Sequence, residues 1–160
     1  MTVRAYVALG SNWGDSASLV GRAAEVVASL GSEARVSSLY RSAPAGPIAQ
    51  PWYVNAVVGM DTVWTPDILL RHLWAVERRF GRWRHAHWGP RLLDCDLLLY
   101  GAWVVDKPEY LVVPHPRMTA RRFVLEPLAE IAPEIQLPDG RRVRDLLRKV
   151  QDQEVERLWP

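Results

Sequence analysis

Several things are scarce in this sequence, and each shortage excludes something. There is a single cysteine, Cys95, among 160 residues, so no disulfide can form within the chain. No apolar run approaches the ~18 residues of a membrane span. The opening Met1-Thr2-Val3-Arg4-Ala5-Tyr6 lacks the charged-then-apolar layout of a secretory signal and leads straight into a strand pattern. Together these points predict a cytoplasmic protein. Net charge is only +2, too small to imply a nucleic-acid binder by itself. There is no internal repeat, low-complexity tract or interdomain linker, so one domain over residues 1–160 is expected. The remainder, 49% hydrophobic and 24% charged, is the balance of a globule with a sizeable core.

The charge that is present is unevenly placed. From Arg71 to Arg91, six arginines and three histidines face one acid, Glu77. The planar fork of a guanidinium matches phosphate oxygens. This cationic segment runs into Trp88-Gly89-Pro90-Arg91-Leu92-Leu93-Asp94-Cys95-Asp96-Leu97-Leu98-Leu99-Tyr100-Gly101. Residues Asp94 to Tyr100 read as a strand, and the unbroken run Leu97–Leu99 predicts a central strand buried on both faces. Side chains alternate along a strand, so Asp94 and Asp96 share a face with Cα atoms roughly 6.5–7 Å apart. Two carboxylates that close repel unless a cation lies between them. Mg²⁺ suits the position, because it prefers a few carboxylates completed by phosphate oxygens and water. Taken alone, Asp-x-Asp is more often a turn cap beside a solvent-facing acid. The arginines leading into it shift the reading toward a Mg-nucleotide site.

The rest of the chain supplies the scaffold. Val3 to Gly10 alternates as a first strand. Gly10-Ser11-Asn12-Trp13-Gly14-Asp15 is a connecting loop, too short for a P-loop and without its Gly-Lys-Ser/Thr ending. Leu19, Val20, Ala23, Ala24, Val26, Val27 and Leu30 predict a helix over Ser16–Leu30, stopped by Gly31. A second strand is expected over Ala34–Arg41. A stiff, proline-rich loop, Ser42 to Pro51, follows and suits the presentation of backbone groups to a flat ligand. Tyr53 to Val63 predicts a third strand, with Tyr53 and Asn55 on one face, an aromatic ring beside a carboxamide. Thr65-Pro66 predicts a helix start with a capping hydroxyl, and the helix runs to about Phe80 before Gly81. Arg82 to Leu93 reads as a loop carrying Arg82, Arg84, His85, His87, Trp88 and Arg91, without the cysteines or third histidine of a zinc set. A short return strand is expected over Ala102–Val105. His115, between Pro114 and Pro116, is either a phosphate contact or a capped loop histidine. A helix over Arg117–Ile131 is expected to break or kink at Pro127. Pro138-Asp139-Gly140 is a turn, and Val143–Val150 a last amphipathic helix.

Four groups of residues stand out together. They are Arg41–Asn55 with its Gly-Pro and Gln-Pro-x-Tyr-x-Asn pattern; Arg82-Trp83-Arg84; Trp88-Gly89-Pro90-Arg91-x-x-Asp94-x-Asp96; and Val113-Pro114-His115-Pro116-Arg117-Met118 with Arg121 and Phe123. In order and spacing the chain resembles the 6-hydroxymethyl-7,8-dihydropterin pyrophosphokinase family. The resemblance implies a ferredoxin-like α+β fold, an antiparallel sheet with helices packed on it. It implies transfer of pyrophosphate from ATP to a pterin hydroxymethyl group, giving AMP, in folate biosynthesis. It further implies that Asp94 and Asp96 hold two Mg²⁺ ions, with Arg82 and Arg91 beside them in catalysis. Tyr53 and Phe123 would sandwich the pterin, and Asn55 would read its amide edge with backbone groups near Ser42, Ala43 and Ala45. Arg84, Arg91, His115 and Arg121 would contact or cover the triphosphate, Trp88 would lie on a lid, and Glu77 would join the polar network on the nucleotide side. The partners implied are ATP and the pterin, with neither nucleic acid nor membrane, on a monomer.

The chain departs from a well-known form of that family in four places. The lid is one residue shorter between Arg84 and Trp88, His87 replaces an arginine, Tyr110 stands where some members have an arginine, and Pro116 where some have a tyrosine. A ferredoxin-like sheet with exposed aromatics also occurs in single-stranded RNA binders. Here the Lys/Arg-Gly-Phe/Tyr-Gly/Ala-Phe string is absent, and two acids on a strand would repel a phosphate backbone without metal.

Overall fold

The computed structural model of the chain describes residues 1–81 and 92–158. Strand β1 (Val3–Ser11) shows the expected alternation: Ala5, Val7 and Leu9 are buried on one face, while Tyr6 and Ala8 pack on the other. Helix α1 (Ser16–Ala28) starts where the Asp15 carboxylate accepts the Ser18 N–H at 3.2 Å, satisfying one donor of the first turn that has no helical partner. Its buried stripe of Val20, Ala23, Ala24 and Val27 lies on the odd-numbered face of β1. Each such fully buried valine or leucine stabilises the fold by roughly 1.5–3 kcal/mol.

The single strand expected over Ala34–Arg41 is two strands. These are β2 (Ser32–Val36) and β3 (Tyr40–Ser42), both antiparallel to β4 (Tyr53–Thr62). Side chains fill the break at Ser37-Ser38-Leu39. Ser37 Oγ accepts the Val57 N–H at 2.9 Å, and the Ser37 N–H donates to the Val57 carbonyl at 2.9 Å, so β4 keeps its partners. Glu130 accepts from the Ser38 N–H at 3.0 and 3.1 Å, from the Ser38 hydroxyl at 3.0 Å and from the Tyr40 hydroxyl at 2.7 Å. Serine hydroxyls compete with the main chain for hydrogen bonds, and here they win over strand propensity.

Helix α2 (Pro66–Arg79) has proline at its first position, as expected, but the Thr65 hydroxyl makes no capping bond. Leu69, Leu70, Leu73 and Val76 form its buried stripe. Strand β5 (Asp94–Tyr100) pairs with β1, and the order across the sheet is β5-β1-β4-β3, with β2 also on β4. A strand absent from the sequence reading, β8 (Val155–Arg157), pairs with β3 at the far edge. Helices α1 and α2 cover one face, and α3 (Arg122–Ile131) with α4 (Val143–Arg148) the other. This is the ferredoxin-like α+β arrangement that was expected.

The central position expected for β5 is not found: it is an edge strand. Its leucine run has another cause. Both faces are covered by helices, and the register slips between Tyr6↔Leu99 and Val7↔Leu97. Leu98 is the extra residue of a bulge, so Leu98 and Leu99 both enter the α3-side core while Leu97 and Tyr100 enter the other. The outer edge is closed by side-chain and loop groups. The Cys95 N–H donates to Glu77 Oε2 at 2.9 Å, and the His115 N–H donates to the Leu98 carbonyl at 2.9 Å.

Two more expectations need correction. The return strand is not Ala102–Val105 but β6 (Val105–Lys107), hairpinned with β7 (Leu111–Val113) apart from the main sheet. After β7 the Val113–Pro114 peptide is cis. The helix expected over Arg117–Ile131 is a 3₁₀ turn, Met118–Ala120, then Arg121 in an extended conformation, then α3. Pro127 sits inside α3 and does not end it. No described helix is long and apolar enough to cross a membrane.

Glu130 holds the strand break from a different layer, so its loss tests that break. Glu130→Ala should lower unfolding stability by about 2–4 kcal/mol, since it removes several hydrogen bonds to a charged acceptor. A urea titration should show this as a lower midpoint with unchanged slope. Glu130→Gln, which keeps one acceptor, should lose less.

Candidate active site

The site grows from one row of residues across three strands. Gly10 on β1 is the register partner of both Asp94 on β5 and Asn55 on β4. Asp94, Gly10 and Asn55 therefore lie side by side on the α3-facing side of the sheet, with Tyr53 two residues before Asn55 on the same face. A Cβ on Gly10 would stand 3.3 Å from Asn55 Oδ1. Glycine thus leaves the floor open between carboxylate and carboxamide. The Asn55 amide is buried and aimed: its Nδ2 donates to Ser42 Oγ at 2.8 Å. Above this floor lies a cleft of about 690 Å³ lined by Gly10, Asn55, Tyr53, Asp94 and Asp96 from the sheet, and by Arg121 and Phe123 from α3 and the residue before it. The proline-rich loop forms one side, tied down where Asn12 Nδ2 donates to Gln50 Oε1 at 3.1 Å.

A second cavity of about 570 Å³ opens on the other side of β5, lined by Trp74, Glu77, Arg78, Asp96, Tyr110 and His115 among others. Asp96 belongs to both walls. Asp96 is thus the point where a flat, aromatic cleft meets a polar one.

Burial comes first among the causes that push the Cys95 thiol well above its ordinary pKa, followed by the carboxylates of Glu77, Asp96 and Asp94. All three carboxylates thus act on one thiol at the start of β5. Among the described residues no group of three or more His, Cys, Asp or Glu side chains can hold a metal ion. Two half-buried carboxylates on one face fit a Mg²⁺ whose remaining ligands come from phosphate and water. They do not fit a closed structural site.

Residues 6–133 match the family model described as 7,8-dihydro-6-hydroxymethylpterin-pyrophosphokinase (HPPK). A Pseudomonas aeruginosa protein named 2-amino-4-hydroxy-6-hydroxymethyldihydropteridine pyrophosphokinase is 46% identical over 161 residues, covering 99% of this chain and 98% of the relative. A Methylorubrum extorquens protein of the same name is 44% identical over 97% of this chain and 98% of its own length. The chain belongs to the HPPK family. Among solved structures, wild-type Plasmodium falciparum HPPK-DHPS superposes with a TM-score of 0.76 at 15% identity, covering 100% of this chain and 45% of that one. Another HPPK-DHPS structure, in complex with substrates, gives 0.77 at 11% identity over 99% of this chain. This chain spans under half of those longer proteins, and at such identity the likeness speaks for the HPPK fold alone.

The six residues expected on the pterin, Ser42, Ala43, Ala45, Tyr53, Asn55 and Phe123, all line the first cleft of this HPPK-family chain, together with both aspartates. The Ala43 N–H already donates to the Glu154 carbonyl at 3.1 Å. Glu77 and His115 line the second cavity, while Arg121, expected on the triphosphate, lines the first beside Phe123, its guanidinium 5.4 Å from that ring's centre. Arg82, Arg84, Trp88 and Arg91 lie outside the described residues. The residues on either side, Gly81 and Leu92, touch; Gly81 has φ 136, and a Cβ there would collide with the Leu92 side chain. Missed by the sequence reading were Gly10 and residues 152–155 of the tail. A glycine within an otherwise apolar strand was the one available signal for the first; the tail had none.

His115 Nδ1 accepts the Arg117 N–H at 3.2 Å, leaving the proton of the neutral ring on Nε2. Burial lowers its pKa, Asp96 acts in the opposite sense, and Arg121 and Arg117 lower it further. The unfolded imidazole protonates near its ordinary value of about 6.5, the folded one only at lower pH. Acidification through 6.5 toward the folded value therefore favours the unfolded state, and the stability present above that window is lost within it. His115→Gln should flatten this part of the pH–stability curve relative to wild type. Urea midpoints measured between pH 8 and pH 5 check it; parallel curves for the two proteins would refute the assignment.

Proposed function

We propose that this chain transfers the pyrophosphoryl group of ATP to the hydroxymethyl oxygen of 6-hydroxymethyl-7,8-dihydropterin, releasing AMP, a step in folate biosynthesis. The single observation that carries the reading is the position of Asp96 on the wall common to both cavities, with Asp94 next to it in the first. A reaction that joins two substrates needs their reacting atoms brought together, and fixing them replaces a bimolecular encounter with a unimolecular step.

In this reading the pterin ring lies in the first cleft between Tyr53 and Phe123. The Asn55 carboxamide, held by Ser42, meets its amide edge; a buried amide fixed at 2.8 Å recognises a complementary heterocycle at little entropic cost. The nucleotide occupies the second cavity. His115, neutral with its proton on Nε2, can donate to a phosphate oxygen, whereas Arg121 lines the first cleft beside Phe123 and puts its charge on the heterocycle side. The hydroxymethyl oxygen attacks the β-phosphorus and gives up its proton to solvent, and the bond from that phosphorus to the oxygen bridging it to the α-phosphate breaks, so AMP leaves. Asp94 and Asp96 would hold two Mg²⁺ ions, which when bound neutralise the phosphate charge and make the hydroxyl a better nucleophile. Arg82, Arg84, Trp88 and Arg91 would close over the phosphates. We read the enzyme as a monomer of one domain.

The test is AMP formation from ATP, Mg²⁺ and the hydroxymethyl pterin. Asp94→Ala and Asp96→Ala should each lower turnover by ~10²–10³-fold or more, with the circular dichroism spectrum unchanged. Chelation should abolish wild-type activity and added Mg²⁺ should restore it. Near-normal turnover by either variant would disprove the metal assignment.

A further inference from the structure

The tail carries no motif, yet Asp152, Gln153, Glu154 and Val155 form part of the first cleft's wall. It is fastened on two sides. β8 extends the sheet with Ser42 opposite Val155, and the Glu154 carbonyl takes the Ala43 N–H. On the other side the Gln153 side chain reaches the start of α3. Its Oε1 accepts the Arg122 N–H at 2.9 Å, and its Nε2 donates to the Ala120 carbonyl at 2.8 Å. Arg122 reciprocates: Nη1 donates to the Gln153 carbonyl at 2.8 Å and to the Gln151 carbonyl at 3.2 Å.

Helix α3 requires such an acceptor. Arg121, at its N-cap position, makes no side-chain capping bond, and the first-turn N–H groups of any helix lack internal partners. Gln153 supplies the missing cap from 31 residues away. With the same amide it holds the carbonyl that ends the preceding 3₁₀ turn. Arg121 lies between these two anchors with φ −121 and ψ 105. Phe123 follows directly after the gripped residue. Among the residues that this part of the chain offers to the cleft, Arg121 and Phe123 flank the residue whose N–H Gln153 accepts.

We propose that Gln153 is a positioning residue for the aromatic wall: by bracketing Arg121 between Ala120 and Arg122, it sets where Phe123 stands and so tunes affinity for the flat heterocycle. This rests on the pterin reading of the first cleft. A shift of α3 by a fraction of an ångström would loosen the ring contact without altering the second cavity, which shares none of these groups.

The experiment compares wild type, Gln153→Ala and Gln153→Glu by steady-state kinetics, by binding of 6-hydroxymethylpterin and by thermal unfolding. Gln153→Ala should raise the pterin KM and Kd on the order of tenfold, while the KM for ATP stays within roughly twofold. Its Tm should fall by about 5 °C or less. Gln153→Glu keeps the acceptor for the Arg122 N–H and loses only the donor to Ala120, so it should recover most of the pterin affinity. Should the truncation not fold, Gln153→Met, which has the length but neither hydrogen bond, provides the same comparison. An unchanged pterin KM with a lowered Tm would make Gln153 a structural strap and overturn the proposal, as would equal losses for both substrates. A wild-type protein that binds no pterin overturns the reading of the cleft and this proposal with it. A wild-type protein that binds, alongside a variant that matches it, overturns this proposal alone.

Discussion

Strand alternation at the start of β5 is the constraint on which the site depends. Cys95 points into the core beneath α1 and α2, so Asp94 and Asp96 must both point to the opposite side. Among the described residues no further strand pairs with the outer edge of β5. The buried Glu77 on α2 accepts the Cys95 N–H and fixes that edge. One carboxylate thus positions the peptide that carries two others, at the cost of a concentrated negative charge. Burial first, and then these carboxylates, make the Cys95 thiol a poor acid.

Around this pair the fold arranges two different solvents. Toward α3 the surface is flat, aromatic and floored by Gly10, so a ring can lie on it. Toward α2 and the β6–β7 hairpin it is polar, with His115 and Glu77 in the wall. A hinge of charge between an apolar slot and a polar one suits the joining of a heterocycle to a phosphate chain. Family membership and local geometry arrive at the same chemistry by separate routes.

Much of this was legible in the chain. Period-two alternation placed β1, β4 and β5 with the correct faces, and period-3.6 stripes placed α1 and α2 to within a few residues. The expected pterin residues are together in one cleft because Tyr53, Asn55 and the aspartates sit at strand starts, where alternation alone fixes their direction. Other readings failed for identifiable reasons. Three consecutive leucines looked like a central strand because a bulge and a two-sided covering leave the same signature as centrality. Ser37 and Ser38 broke a strand that β-propensity favoured, because Val57 and Glu130 offered their hydroxyls and N–H groups better partners. Thr65 did not cap although its type permits it.

What the sequence by itself determined is whatever depends on neighbours within a turn or a pleat: which faces are apolar, that two carboxylates point the same way, that arginines precede them. What only the tertiary structure decided is whatever depends on residues far apart in the chain. That Asp96 fronts two cavities, that Glu130 bridges a strand break 92 residues away, and that a motifless tail caps α3 across 31 residues leave no local trace. Alternation and helical period are properties of the backbone's own geometry, whereas a hydrogen bond between layers exists only once packing has brought its two ends together.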